Sequence, residues 1–147
     1  MKYPLNLIDF HDDWIRLVGK AITSYEQLLP EERIWYNVQA LIDAVNKGGL
    51  INYYGNPDAD RLLETMADLK TIGAVYILEI LNKMNALFPH GIPSSDLDER
   101  NKVILSWNDD TVCDLLDNLD IEFYKYCPVL ENTLMEHILA KSLTMAT

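Results

Sequence analysis

Residues 30–49 read PEERIWYNVQALIDAVNKGG, and this stretch decides the fold. Pro30 sets its own φ for a first helical turn, and the two glutamates after it face the positive end of the helix dipole. Apolar residues then recur at helical spacing and form one face. We expect Gly48 and Gly49 to end this helix, because glycine adopts a left-handed conformation without strain. The apolar face comprises Trp35, Val38, Leu41, Ile42 and Val45.

Helical spacing continues on both sides of this stretch. A first helix is predicted to begin at Asp12 or Asp13, both of which favour a helix N-terminus. Residues 50–55 can form either a helical turn or a packed loop, and Asn56-Pro57-Asp58 then starts another helix. Residues 71–88 are apolar almost all round, which predicts a helix in the middle of the domain. Further helices are predicted over residues 95–106, over residues 110–124 and from Pro128 onward.

These elements predict a single all-α domain over residues 1–147 with about six to eight helices. The length is that of one ordinary domain, and 49% of the residues are apolar, as in globular proteins. The N-terminal residues lack a signal-peptide pattern, so we expect the protein in the cytoplasm. Cys113 and Cys127 are accordingly expected to be reduced thiols packed in the core.

The charge of the chain is the most informative bulk property. There are 23 Asp and Glu residues against 12 Lys and Arg residues, a net charge of −11. No basic residue occurs between Lys102 and Lys125, whereas that window holds six acidic residues. Such a surface repels nucleic acid and anionic lipid and attracts basic partners. Solubility alone is the competing explanation, because net charge also keeps proteins from associating.

No pattern of catalytic or metal-binding residues emerges from the sequence. The three histidines, His11, His90 and His137, lack metal-ligand spacing, and the nucleotide-binding and nucleophile motifs are absent. Cys113 lies among acidic residues, a setting that disfavours a nucleophilic thiolate. We therefore expect no catalytic residue, no metal site and no cofactor.

The predicted helix over residues 110–124 has two contrasting faces. At about 100° per residue, Asp110, Asp114 and Asp117 lie opposite an apolar face. Carboxylates four residues apart are separated by about 6 Å along the axis, and can roughly imitate part of a row of DNA phosphates. Ile121 falls on the acidic face of a regular helix, which favours a bent helix end there over contact with a partner. The predicted partner-binding face comprises Asp109, Asp110, Asp114, Asp117 and Asp120.

Four segments carry a resemblance to a known family: residues 32–36 (ERIWY), 45–56 (VNKGGLINYYGN), 72–74 (IGA) and 119–124 (LDIEFY). Their order and spacing resemble those of the bacterial DNA-mimic protein family over about residues 28–140. The resemblance implies an all-helical fold. It also implies dimerisation and binding to DNA-binding proteins through an acidic face.

The family motif differs from this chain at positions where packing-compatible residues replace one another. Lys47 stands where the family often has Asn, and Leu50, Asn52 and Tyr54 replace Phe, Gln and Phe. We interpret the motif residues as structural, with glycines that end a helix and aromatics that fill the core. This structural set comprises Trp35, Asn46, Gly48, Gly49, Tyr53 and Asn56.

Three functions remain as hypotheses. The first is a DNA mimic that antagonises a basic DNA-binding protein, such as a nucleoid protein or a repressor. The second is an immunity-type protein that neutralises a basic toxin. The third, an enzyme or small-ligand domain, places its site near Tyr53, Tyr54 and Asn56 and requires convergent polar groups in a pocket.

Overall fold

The computed structural model describes residues 6–144, which form six α-helices joined by short connections. A short 3₁₀ turn at Leu7–Phe10 precedes the first helix, and others at Tyr25–Gln27, Pro57–Arg61 and Pro89–Gly91 lie in the connections. No strand occurs within residues 6–144. The predicted all-α class is therefore confirmed. The helices are α1 (His11–Ser24), α2 (Pro30–Tyr54), α3 (Leu62–Thr71), α4 (Val75–Asn85), α5 (Leu97–Leu105) and α6 (Asp110–Ala140).

Helix α2 occupies the centre of the domain. It packs against α1, α3 and α6, and Val38, Leu41 and Val45 on its apolar face are completely buried. The prediction that residues 71–88 form the central helix is wrong. Gly73, at φ +80°, separates α3 from α4, and α4 leaves Val75 and Tyr76 exposed at its start. An apolar sequence here reflects packing against both α3 and α6 rather than burial on all sides.

The two glycines break α2 without ending it. Gly48 (φ −168°) and Gly49 (φ +80°, ψ −179°) leave the helical conformation, and one further helical turn follows from Leu50 to Tyr54. The glycines were predicted to end this helix, but they only interrupt it, and the aromatic segment after them is the helical turn rather than the loop. Leu50, Tyr53 and Tyr54 are buried, so this turn belongs to the core.

Helix α6 is one continuous helix, although two were predicted. Pro128 lies inside it, at an exposed position, and removes one backbone donor. Buried side chains recur at helical spacing on both sides of the proline, so a single apolar face runs from Leu119 to Ile138. Burial of this face stabilises α6 by more than the proline in the helix interior destabilises it. The buried residues are Leu119, Phe123, Cys127, Leu130, Leu134 and Ile138.

Several predicted helix starts carry the expected caps. The Asn56 side chain accepts a hydrogen bond from Asp58 N at 2.8 Å, and the Asp109 side chain accepts one from Thr111 N at 2.6 Å. Helix α1 begins at His11, one or two residues before the predicted start at Asp12 or Asp13. Asp109 thus caps α6, whereas Asn56 caps the 3₁₀ turn that precedes α3, and no side chain caps the first amides of α1.

The two cysteines differ in environment. Both are free thiols, but Cys113 is exposed and only Cys127 is buried, so the prediction of a core-packed Cys113 is wrong. Burial and the neighbouring Glu131 raise the pKa of Cys127 to about 12. In residues 6–144, no helix combines the length and the apolar character needed to cross a membrane.

Candidate protein-binding face

Three carboxylates form an exposed row on the first half of α6. Asp110, Asp114 and Asp117 are all exposed, and helical geometry places them within about 60° of one another around the axis. Asp109 precedes them as the exposed cap residue of the helix. We call Asp110, Asp114 and Asp117 the carboxylate row. These three carboxylates lie on one regular helix and project to the same side of it.

Asp120 has a different environment from the row. It is half-buried, and its Oδ1 accepts a hydrogen bond from Leu50 N at 2.8 Å. This amide would otherwise lack a partner, because Gly48 and Gly49 interrupt the helix before it. Burial raises the pKa of the Asp120 carboxyl, the Leu50 amide lowers it, and the nearby Asp117 raises it. Asp120 therefore caps the second part of α2 and is not part of the exposed row.

Ile121 lies on the same face as the row and is 64% exposed. The prediction of a bent helix end at this residue is wrong, because α6 continues for nineteen further residues, to Ala140. Beside it, the Tyr124 hydroxyl donates a hydrogen bond to Val45 O at 2.9 Å and joins α6 to α2. The carboxylate row is thus followed by the exposed apolar side chain of Ile121, on a part of α6 that is joined to α2.

The motif residues predicted to be structural lie mostly in the core. Trp35 is buried, and its indole Nε1 donates a hydrogen bond to Gln39 Oε1 at 2.7 Å. The Tyr54 hydroxyl donates to Asn85 Oδ1 at 2.7 Å, and Tyr53 packs edge-on against the Tyr54 ring. Asn46 and Gly48 are the exceptions, because both are exposed, and Asn46 borders a surface cleft.

Arg100 was not singled out by the sequence, yet it is completely buried at 0% exposure. Its Nε donates to Tyr54 O at 2.9 Å, and its Nη2 donates to Asn56 O at 2.8 Å. A second Nη2 contact reaches Asp60 Oδ1 at 2.8 Å, and Nη1 donates to Ser94 O at 2.9 Å. Nothing in the polar segment around Arg100 distinguishes it from a solvated arginine, so no sequence signal could have identified it.

A cleft of about 290 Å³ lies where α1, α2 and α6 meet. Trp14 from α1, Asp43 and Asn46 from α2, and Glu131 from α6 border it. A neighbouring cavity of about 220 Å³ shares Trp14 and Asp43 and adds Asp58. In the part of the chain that the structure describes, no cluster of three or more His, Cys, Asp or Glu side chains is arranged to hold a metal ion.

The family model of the DMP19-like proteins matches residues 26–142. The chain belongs to the DMP19-like protein family. This is the DNA-mimic family whose motifs the sequence resembles. No curated protein and no solved structure matches the chain significantly.

The matched region of this DMP19-like chain contains most of the features described above. It spans α2 to α6, and so includes the carboxylate row, the glycine break with Asp120, and Arg100. Helix α1, which contributes Trp14 to the cleft, precedes the matched region. The cleft thus combines a side chain from outside the family match with side chains from inside it.

Proposed function

We propose that this DMP19-like domain binds a basic DNA-binding protein through the carboxylate row and acts as a mimic of DNA. The observation that carries the proposal is the exposure of Asp110, Asp114 and Asp117 on one face of a continuous helix. Membership of the DMP19-like family supports the same function. The partner is expected to be a nucleoid protein or a repressor, since these proteins carry basic surfaces for DNA phosphates.

The spacing and surroundings of the row support this function physically. Asp110 and Asp114 are separated by about 6 Å along the helix axis, and Asp117 follows after about 4.5 Å more. Residues 103–124 contain no lysine or arginine that could neutralise these carboxylates. The chain as a whole carries a net charge of −11. A like-signed field over this face steers basic partners toward it and weakens with ionic strength.

Ile121 gives the row an apolar contact point. An exposed isoleucine beside carboxylates suits a protein partner better than free cations, because its burial removes apolar surface from water. The buried positions of Tyr53 and Tyr54 support a structural rather than a catalytic role for the aromatic segment. We accordingly propose a binding function without catalysis, and the homodimer implied by the family resemblance stays a prediction.

The test compares two variants of equal charge. The first variant carries Asp110→Asn, Asp114→Asn and Asp117→Asn. The second carries Glu26→Gln, Glu79→Gln and Asp98→Asn, which removes three exposed carboxylates elsewhere. Partners are captured from nuclease-treated lysate of the host at low and moderate salt, identified by mass spectrometry, and titrated as purified proteins.

We expect the row variant to bind the captured partner at least about tenfold more weakly, since three exposed charge contacts each contribute a modest free energy. The control variant should bind within about twofold of the unmodified protein. Added DNA should displace the partner, because DNA competes for the same basic surface. A basic toxin that resists DNA competition would identify an immunity protein instead, and equal affinity of both variants would overturn the site assignment.

A further inference from the structure

The cleft between α1, α2 and α6 carries two carboxylates and an aromatic wall. Asp43 and Glu131 border it from α2 and α6, and both are half-buried. Among the described residues that line this cleft there is no lysine or arginine. Lys47 lines the neighbouring cavity instead, together with Asp58. The cleft therefore presents negative charge in a partly desolvated place, where a cation gains more than at an open surface.

Asp43 lies at the junction of the two cavities and lines both. Burial raises its carboxyl pKa, Lys47 lowers it, and the carboxylates of Glu131 and Asp58 raise it. The nearby Gln39 amide also lowers the pKa, and Gln39 is itself anchored by the buried Trp35 indole. Asp43 is thus held in position by the core, and its charge is incompletely neutralised by the protein.

Glu131 is held on the opposite side of the cleft. Its Oε1 accepts a hydrogen bond from the Cys127 thiol at 3.4 Å, one helical turn earlier. Because the thiol is buried in α6, this contact restricts the rotation of the Glu131 side chain. Two carboxylates on different helices therefore converge on one cleft, and each is positioned by a buried neighbour.

Trp14 supplies the aromatic wall. Its ring stacks on Tyr36 with centroids 5.8 Å apart and planes at 28°, and it lies 6.1 Å from the Trp35 ring. Trp14 lines both cavities, so part of the indole is accessible from the cleft. A planar guanidinium stacks on an aromatic face and donates in a fork to carboxylates, whereas an ammonium offers only a point charge.

We propose that this cleft, bordered by Trp14, Asp43 and Glu131, is a socket for the guanidinium group of an arginine side chain of the partner protein. The inference rests on the proposed function, because it gives the basic partner a second anchor. Glu131 follows Asp117 by 14 positions on α6, about 21 Å along the axis. A partner that contacts both places spans roughly four turns of one helix.

The socket can be tested without the partner. The probe is Nα-acetyl-arginine amide, and the neutral control is the corresponding citrulline amide, which has nearly the same shape. The chain has three tryptophans, so its ¹H–¹⁵N spectrum gives three indole signals, and a Trp14→Phe variant identifies that of Trp14. We expect arginine amide to shift the Trp14 signal saturably at millimolar concentrations, and citrulline amide to leave it unchanged.

Matched variants locate the binding. Asp43→Asn should weaken the probe at least about tenfold, because a charge-assisted hydrogen bond is lost. Glu79→Gln removes the same charge from an exposed position outside both the cleft and the carboxylate row, and should leave probe affinity within about twofold. Glu131→Gln is a second socket variant, for use if Asp43→Asn does not fold.

The outcomes separate the socket from the proposed function. Equal shifts with arginine and citrulline amides, or unchanged affinity in both socket variants, would overturn the socket. If the row variant still loses its partner in that case, the proposed function stands alone. If probe binding follows the predictions while the row variant keeps its partner, the socket stands and the assignment of the row fails.

Discussion

Gly49 and Asp120 restrict each other. Gly49 has φ +80°, a conformation that side chains other than glycine rarely adopt. A Cβ at this position would lie 2.6 Å from Asp120 Oδ2. Asp120 must approach this closely because its other oxygen accepts the hydrogen bond from Leu50. Gly49 and Asp120 together thus allow α2 to change direction within the core.

We expect Gly49→Ala to lower the free energy of unfolding by about 2 kcal/mol or more, through backbone strain and the clash with Asp120. Gly19→Ala is the matched control, because Gly19 lies exposed within α1 and a Cβ there would meet open space. That change should raise the free energy of unfolding by about 0.5–1 kcal/mol. Urea unfolding of both variants measures the difference, and a neutral Gly49→Ala would contradict the described contact.

The sequence predicted this arrangement of Gly49 and Asp120 only in part. A glycine pair after a helical face predicts the end of a helix, and the structure has an interruption of α2 at Gly48 and Gly49. Asp120, by contrast, was grouped with the acidic face, because helical spacing gives the direction of a side chain but not the element opposite it. The partner of Asp120 is Leu50, 70 positions earlier in the chain, and local pattern cannot reveal such a pair.

At the scale of elements, α6 shows how packing overrides a local signal. Pro128 lies in the helix interior, where its ring removes the donor that would meet the carbonyl of Tyr124. A proline in that setting predicts a helix boundary, and we predicted one. The apolar face of α6 runs past the proline from Leu119 to Ile138, so burial of one continuous stripe holds the two parts in line.

Pro128→Ala should therefore stabilise the domain. The substitution restores a backbone hydrogen bond at an exposed position and replaces the least favourable helix residue with the most favourable. We expect the free energy of unfolding to rise by about 1–3 kcal/mol. Val129→Ala, at the next exposed position, should change it by less than about 0.7 kcal/mol. A destabilised Pro128→Ala variant in thermal unfolding would mean that the packing of α6 requires the proline.

At the scale of the whole molecule, the dominant property is an excess of negative charge with several buried or half-buried carboxyls. Burial raises the pKa values of Asp43, Asp58, Asp68 and Asp120 above the ordinary value of 3.8. Burial acts in the same direction on Glu32, but Lys20 and the Leu29 amide together outweigh it, so the pKa of Glu32 is lowered. The net charge and acidity were evident in the sequence, whereas the burial of these particular carboxyls depends on how the helices pack.

Stability should fall as pH rises above 3.8 and through the raised pKa values of these four carboxyls. A carboxyl whose pKa is raised on folding holds more protons in the folded state, so its contribution is complete below pH 3.8 and is lost as pH rises through the folded value. Glu32 acts in the opposite sense, and its contribution is lost only as pH falls below 4.5. Urea unfolding at constant ionic strength measures this, and Asp43→Asn should flatten the slope. Stability that rises toward pH 7 would contradict the prediction.

The buried Arg100 affects which segments of the domain can open locally. Its guanidinium joins the end of α2, the 3₁₀ turn after Asn56, and the loop before α5. None of these segments can detach while the others stay in place without exposing carbonyls that the arginine satisfies. Their backbone amides should therefore exchange with solvent deuterium as one cooperative unit rather than as three independently fraying segments. This unit contains the aromatic turn, so we expect this segment of the family motif to open only together with the other two segments.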